Sequence, residues 1–326
     1  MTFFAQIANL FRSFTFSWSK GLYFSVNLGF NNVVHFEDFR RLALNHVAEL
    51  PAVKRSSPFW SAKIREILPD PITSDSILRL SDNLAEIFTS SSVGRTQSGV
   101  SSAGQSWQAL VMWYLNLCLV GTNCVVVPPV AKFRPSVIKD ATDVRMNGRV
   151  SNTETDLLAF TVPASSTLPD AKLATINSRI ASTISDTRVT IIQCKTNWND
   201  NAQIPMLWNQ IYELARQGNR FAHLSVGNTY QPSQFKDFTY AFVTVPSQGS
   251  SGFNPSSTPV LRVSGLSGGN YWGYPSTPSV AESLYSFFNR NFATSFNPGG
   301  IKSFIDKNLV ENTLAISLED FIDFNF

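Results

Sequence analysis

Glu154 and Asp156 stand two positions apart in Thr153-Glu154-Thr155-Asp156-Leu157-Leu158-Ala159-Phe160, and a later apolar run ends in Gln193-Cys194-Lys195. Side chains alternate faces along a β-strand, so the two carboxylates share one side, as do Gln193 and Lys195. Two such strands lying side by side would gather acids, an amide and an ammonium in one small space. Oxygen ligands of this hard kind suit a divalent cation, and a lysine beside it can orient or deprotonate a nucleophilic water or steady a phosphate. The expectation from these residue types is metal-dependent phosphodiester chemistry.

The elements that must position those groups follow from periodicity. Val189-Thr190-Ile191-Ile192-Gln193-Cys194-Lys195 is a near-continuous β-branched run, the mark of a central strand. Asp143 to Phe160 reads as a hairpin: Val144-Arg145-Met146, a turn at Asn147-Gly148, and a return through Val150 to Leu157-Leu158-Ala159-Phe160. Cys124 to Val127 is a short strand before Pro128-Pro129, and Phe238 to Val245 alternates well enough to be another. An apolar helix is predicted from Ala103 to Leu119, hydrophobic nearly all round and therefore buried on most sides. Gln108 lies in it, and a buried amide needs partners, so it is either a satisfied core glutamine or a group facing the acidic site.

A helical lead-in is expected over residues 1–90, with segments Phe36 to Leu50, Ser61 to Leu68 and Ser74 to Phe88 separated by Pro51 and by Pro69-Asp70-Pro71. Arginines and lysines there are interleaved with acids and read as solvated helix faces. Further helices are predicted over Pro169 to Ile184 and from Ile204 to Ala215, the second stopped by Gly218. The stretch Pro246 to Pro278 is rich in Ser, Gly and Pro, and a short helical tail follows it. The order of helix, strands, insertion, strand, helix and strand predicts an α/β fold, a mixed central sheet flanked by helices with a helical N-terminal region. Residues 91–250 would form the core and 251–326 a loop-rich and helical extension.

Only 15% of the 326 residues are charged while 13% are aromatic, a globular composition. The net charge of +3 permits an anionic partner without demanding one. Cys118, Cys124 and Cys194 fall in apolar runs without metal or redox spacing, which suggests small core residues in a reducing compartment. The first 36 residues carry Arg12 and Lys20 and no acid, as organelle presequences do, although the alternation in Leu22-Tyr23-Phe24-Ser25-Val26-Asn27-Leu28 reads as ordinary folded structure.

A short strand carrying an aspartate, then a strand ending in the place of acid-x-Lys (here Gln193-Cys194-Lys195), then a helix, all preceded by a helix opening with a Ser/Arg-rich loop and Ala-Gly, resembles the PD-(D/E)XK nucleases. The loop Arg95-Thr96-Gln97-Ser98 through Ala103-Gly104-Gln105-Ser106-Trp107-Gln108 is similar to type II restriction endonucleases, the likeness covering residues 91–245. The resemblance implies that Asp156 binds the metal and Lys195 is catalytic. Gln193 stands where the family has Glu or Asp, and Gln108 where such enzymes often place a helix glutamate; Thr155 replaces the usual proline. Losing two carboxylates weakens cation binding, although a glutamine carbonyl can still coordinate and Glu154 can restore a charge. The reading is therefore a magnesium (Mg2+) ion held by Asp156, Glu154 and Gln193, with Gln108 beside them. The resemblance further implies double-stranded DNA as substrate, a homodimer on a short site, a bacterial cytoplasmic location and a cognate methyltransferase. Polar segments carrying Arg95, Gln97, Ser98, Asn197, Asn199, Asn201 and Gln203, and the segment Asn228 to Lys236, are candidates for base readout.

Other chemistries find less support. Gly265, Ser267 and Gly269 match G-x-S-x-G, but no histidine follows His223 to complete a hydrolase triad. The alternative class is a non-catalytic binding protein in which Tyr271, Trp272 and Tyr274 stack on a base or sugar. A structure-specific DNA nuclease is a third.

Overall fold

The computed structural model describes residues 34–91, 100–151, 155–163, 168–198, 203–218, 223–246, 254–296, 299–311 and 317–326, and a few side chains at element ends, those of Asn197 and Gln203 among them, lie outside that description. All of these residues fall within one compact unit, residues 32–326. Residues 22–28, whose alternation suggests folded structure, lie outside the described residues.

The N-terminal region is helical as expected, with shifted boundaries. Helix α1 spans Val34–Ala48 and α2 spans Pro51–Ile67. The first helix stops just before Pro51 as expected, and Pro51 itself opens the next, since the first helical position has no use for an N–H. Pro58 sits inside α2. It removes a donor to the carbonyl of Lys54, which is at the surface, where water can take over. The Ser74 to Phe88 segment divides into α3 (Ser74–Arg79) and α4 (Leu84–Ser90), joined by a 3-10 turn. Ser81 donates to the Leu78 carbonyl and Asn83 to that of Arg79, so polar side chains take up carbonyls where the α-helix breaks.

Helix α5 spans Val100–Leu119. From Ser106 to Val120 every residue is buried except Gln108. Its hydrophobicity is thus spent on neighbours all round: Trp113 stacks on Phe324 at 5.2 Å and Tyr114 on Tyr271 at 6.5 Å. Strand β1 (Cys124–Val127) follows, then α6 (Ser136–Thr142), β2 (Val144–Met146), β3 (Arg149–Ser151) and β4 (Leu157–Thr161). After α7 (Leu173–Ser182) come β5 (Arg188–Trp198), α8 (Gln203–Arg216), β6 (Leu224–Val226) and β7 (Asp237–Pro246).

The main sheet has the order β1-β4-β5-β7-β8, where β8 is the short strand Asn270–Tyr271. Its first three strands pair antiparallel and the last three parallel, with β5 in the centre. This is a mixed five-stranded sheet flanked by helices. Thr239 and Tyr240 are consecutive in β7 and show the two faces. Thr239 donates to Asn291 of α10 (Leu284–Phe292), whereas the Tyr240 ring stacks on Tyr212 of α8.

One expectation is corrected by the pairing. The Asn147-Gly148 turn is present, with both residues at positive φ, the conformation that a two-residue hairpin turn requires and that Asn and Gly tolerate. Its return arm is β3, however, and β3-β2-β6 is a separate three-stranded sheet. Leu157 to Thr161 belongs to the main sheet, between β1 and β5.

The Ser, Gly and Pro-rich stretch is more ordered than its composition suggests. It supplies α9 (Thr258–Ser264) and then β8. Gly268 lets the chain pass the β7 backbone, because a Cβ there would sit 2.7 Å from the Tyr240 carbonyl carbon. Ser267 of the G-x-S-x-G match accepts from the Tyr240 N–H and bonds Asn209, a packing role. Tyr271 and Trp272, proposed above as stacking platforms, are core residues, Trp272 being 0% exposed. A ring buried to that extent has no face left for a ligand. Helices α11 (Gly300–Glu311) and α12 (Leu318–Asp323) close the chain. Among the described residues no helix is long and apolar enough to cross a membrane.

Candidate active site

The register of β4 against β5 brings the chemistry-bearing residues together. Leu157 pairs with Ile192, so Asp156, one position before β4 begins, lies alongside the segment Gln193 to Lys195. The Asp156 N–H donates to the Ile192 carbonyl. Its carboxylate then does what the missing strand residue would have done: Oδ2 accepts the Cys194 N–H at 2.8 Å, across 38 residues of sequence. A carboxylate anchored by a backbone donor is held more firmly than one on a free rotamer.

The second oxygen is held from the other direction. Gln108 Nε2, at a part-exposed position of α5, donates to Asp156 Oδ1 at 2.8 Å. Gln108 therefore contacts Asp156, a contact that either reading of the sequence allows. One helix and two strands converge on a single carboxylate.

Gln193 is fully buried, and its Oε1 accepts the Tyr240 hydroxyl at 3.2 Å. Tyr240 was not legible as a site residue, since its only sequence signal is a polar group within the alternation of β7. Lys195 is part-exposed at the carboxyl end of β5, and its carbonyl accepts Thr244 Oγ1. Between these two, Cys194 is buried; burial pushes its thiol well above the usual range, the Asp156 charge pushes the same way, and the Lys195 ammonium opposes both.

Of the remaining expected site residues, Glu154, Arg95, Gln97, Ser98, Asn199 and Asn201 lie outside the described residues. Asn197 falls in β5 and Gln203 opens α8, with their side chains outside the description.

Magnesium takes hard oxygen ligands, commonly one or two carboxylates together with waters and substrate phosphate. Asp156 supplies one carboxylate, a hard oxygen ligand of the kind magnesium takes. The oxygen-only chemistry therefore fits such an ion. Among the described residues, no group of three or more His, Cys, Asp and Glu gathers to form a fuller ligand set. Compared with protein-family models, curated proteins and solved structures, the chain finds no match.

Proposed function

We propose that the protein is a magnesium-dependent nuclease of the restriction-endonuclease-like class that hydrolyses phosphodiester bonds in double-stranded DNA at specific sites. The observation that carries this reading is the Asp156 carboxylate held between Gln108 of α5 and the Cys194 N–H, with Lys195 the next residue along β5, where the start of β4 pairs with β5. Magnesium, when bound, supplies Lewis-acid polarisation of the phosphate and of an attacking water. Asp156 would hold it, with Glu154 as a second carboxylate. Lys195 orients the water and places its ammonium where negative charge develops on the phosphate. Gln108 fixes the carboxylate rotamer. The homodimer and the partner methyltransferase belong to this same reading.

The test is incubation of the purified protein with several long unmethylated DNAs, with and without magnesium, beside Asp156→Ala and Lys195→Ala. Discrete fragments from the wild type alone are expected. Removing the carboxylate should lower the cleavage rate by about a thousandfold or more, since a metal's charge stabilisation is worth several kcal/mol. Loss of the lysine should cost on the order of a hundredfold. Absence of cleavage under varied metals, or equal cutting by the variants, would overturn the assignment.

A further inference from the structure

The two peptide groups that flank Gln193 are the ones that grip Asp156. The carbonyl of Ile192, before it, accepts the Asp156 N–H, and the N–H of Cys194, after it, donates to Asp156 Oδ2 at 2.8 Å. Because peptide groups are planar, the two backbone dihedrals of Gln193 set the angle between that acceptor and that donor. Lys195 follows two residues along the same strand. Whatever holds residue 193 in place therefore helps to set the carboxylate relative to the ammonium.

Its side chain is held from β7 and α8. In the β5–β7 ladder Ile191 pairs with Tyr240 and Gln193 with Phe242, so Gln193 and Tyr240 point to the same face of the sheet. On that face Tyr240 stacks on Tyr212 of α8 at 6.2 Å, and the Tyr212 hydroxyl is itself tied down, donating to the Thr142 carbonyl at 3.0 Å. The Tyr240 hydroxyl donates to Gln193 Oε1 at 3.2 Å. One turn of the ladder further on, Thr244 Oγ1 donates to the Lys195 carbonyl at 3.1 Å. Two hydroxyls of β7 thus fasten the end of β5 that carries the site. A buried hydroxyl and a buried amide each lose heavily when unpaired, so the Tyr240 bond favours one rotamer of Gln193.

Burial also bears on whether Gln193 can hold a cation. A ligand has to offer its oxygen to an ion that arrives with water around it, whereas the Gln193 side chain is enclosed by protein at 0% exposure. An amide suits that place better than the acid that the family resemblance would put there. It keeps an acceptor for Tyr240 without the cost of burying a charge.

Resting on the nuclease reading above, we propose that Gln193 is not a ligand of the magnesium ion but forms with Tyr240 a positioning pair that sets Asp156 and Lys195 against each other. The test uses Tyr240→Phe, Gln193→Met, the double variant and Gln193→Glu in the full chain. Each is assayed for kcat and KM on an unmethylated DNA over a magnesium series, and melted over the same series without DNA. Tyr240→Phe should lose about tenfold in kcat with KM for DNA within about twofold, as expected when a metal ligand is less well oriented. The double variant should be no slower than the slower single variant, since both changes remove the same bond. Gln193→Glu should melt at a lower temperature, and its magnesium midpoint, read from cleavage and from melting alike, should not fall below that of the wild type. If Tyr240→Phe melts lower yet keeps the wild-type kcat well below its melting temperature, the pair serves packing alone and the proposal is overturned, while the nuclease reading stands. A lower magnesium midpoint for Gln193→Glu in both readouts would make residue 193 a ligand position and overturn it as well. If the wild type cuts no DNA under any metal, the nuclease reading fails and the positioning role falls with it.

Discussion

Asn116 and Gln108 are two amides on the same buried helix, about two turns apart, and they are treated in opposite ways. Asn116 is sealed. Its Nδ2 donates to the Met112 and Val126 carbonyls, and its Oδ1 accepts from the Val126 N–H and from Arg40 Nη1. Arg40, also fully buried, is forked onto both oxygens of Glu37 and caps the Cys124 carbonyl, while Glu37 takes the Gly121 N–H. Every charge in that cluster is answered by a neighbour within the chain, and its work is to tie α1 to the end of α5 and to β1. Gln108 donates to the Asp156 carboxylate from a part-exposed position of α5, and the other carboxylate oxygen takes the Cys194 N–H. The Arg40 cluster closes on itself inside the core, whereas Gln108 and Asp156 meet at a part-exposed position.

The largest effect expected from breaking this comparison is at Arg40. Arg40→Ala leaves Glu37 buried without its counter-ion, which costs about 3–5 kcal/mol and should appear as a large fall in denaturation midpoint. Changing both charges, as Arg40→Met with Glu37→Met, should recover most of that loss, because a buried ion pair is weakly stabilising against an apolar pair of similar volume. If the double variant is no more stable than Arg40→Ala, the cluster contributes something beyond charge balance. A smaller effect is expected for Asn116→Leu, where the Val126 N–H and carbonyl and one Arg40 N–H lose their partner; about 2–3 kcal/mol should be lost. The same melting or urea titration reads both.

The two clusters differed in how much of them the sequence displayed. Gln108, Asp156, Gln193 and Lys195 could be singled out because each is a polar residue interrupting an apolar run of known period, and a strand's alternation says which of them share a face. The Arg40 cluster could not, since Arg40 and Asn116 are 76 residues apart and an arginine beside acids on an amphipathic helix looks like solvated surface. Tyr240 was hidden for a similar reason, because a hydroxyl on an alternating strand carries no mark of which face is polar until the partner 47 residues away is known. In the fold, long regular segments such as β5, β7, α5 and α8 were legible. The two-residue strand β8 is too short to have a period, and the break between β3 and β4 depends on which strands pair, a property of the whole sheet that the Asn-Gly turn does not encode.

The smallest change in stability and the sharpest contrast are expected at Gln108. Gln108→Leu removes one hydrogen bond to a carboxylate at a part-exposed position, worth about 1.5 kcal/mol, so its melting midpoint should fall less than that of Asn116→Leu. Asp156 would keep the Cys194 N–H on Oδ2 but lose the donor that fixes its second oxygen, and a carboxylate free to rotate is poorly placed to hold an ion and a phosphate together. Cleavage at saturating DNA and magnesium should fall about tenfold, and the magnesium concentration giving half-maximal rate should rise. Gln108→Glu separates orientation from charge. It puts a second carboxylate against Asp156, which should tighten magnesium binding if the site holds a cation and should destabilise the fold at low magnesium by like-charge repulsion. A Gln108→Leu variant as unstable as Asn116→Leu, with unchanged cleavage, would place Gln108 among the sealed core amides and erase the contrast between the two ends of α5.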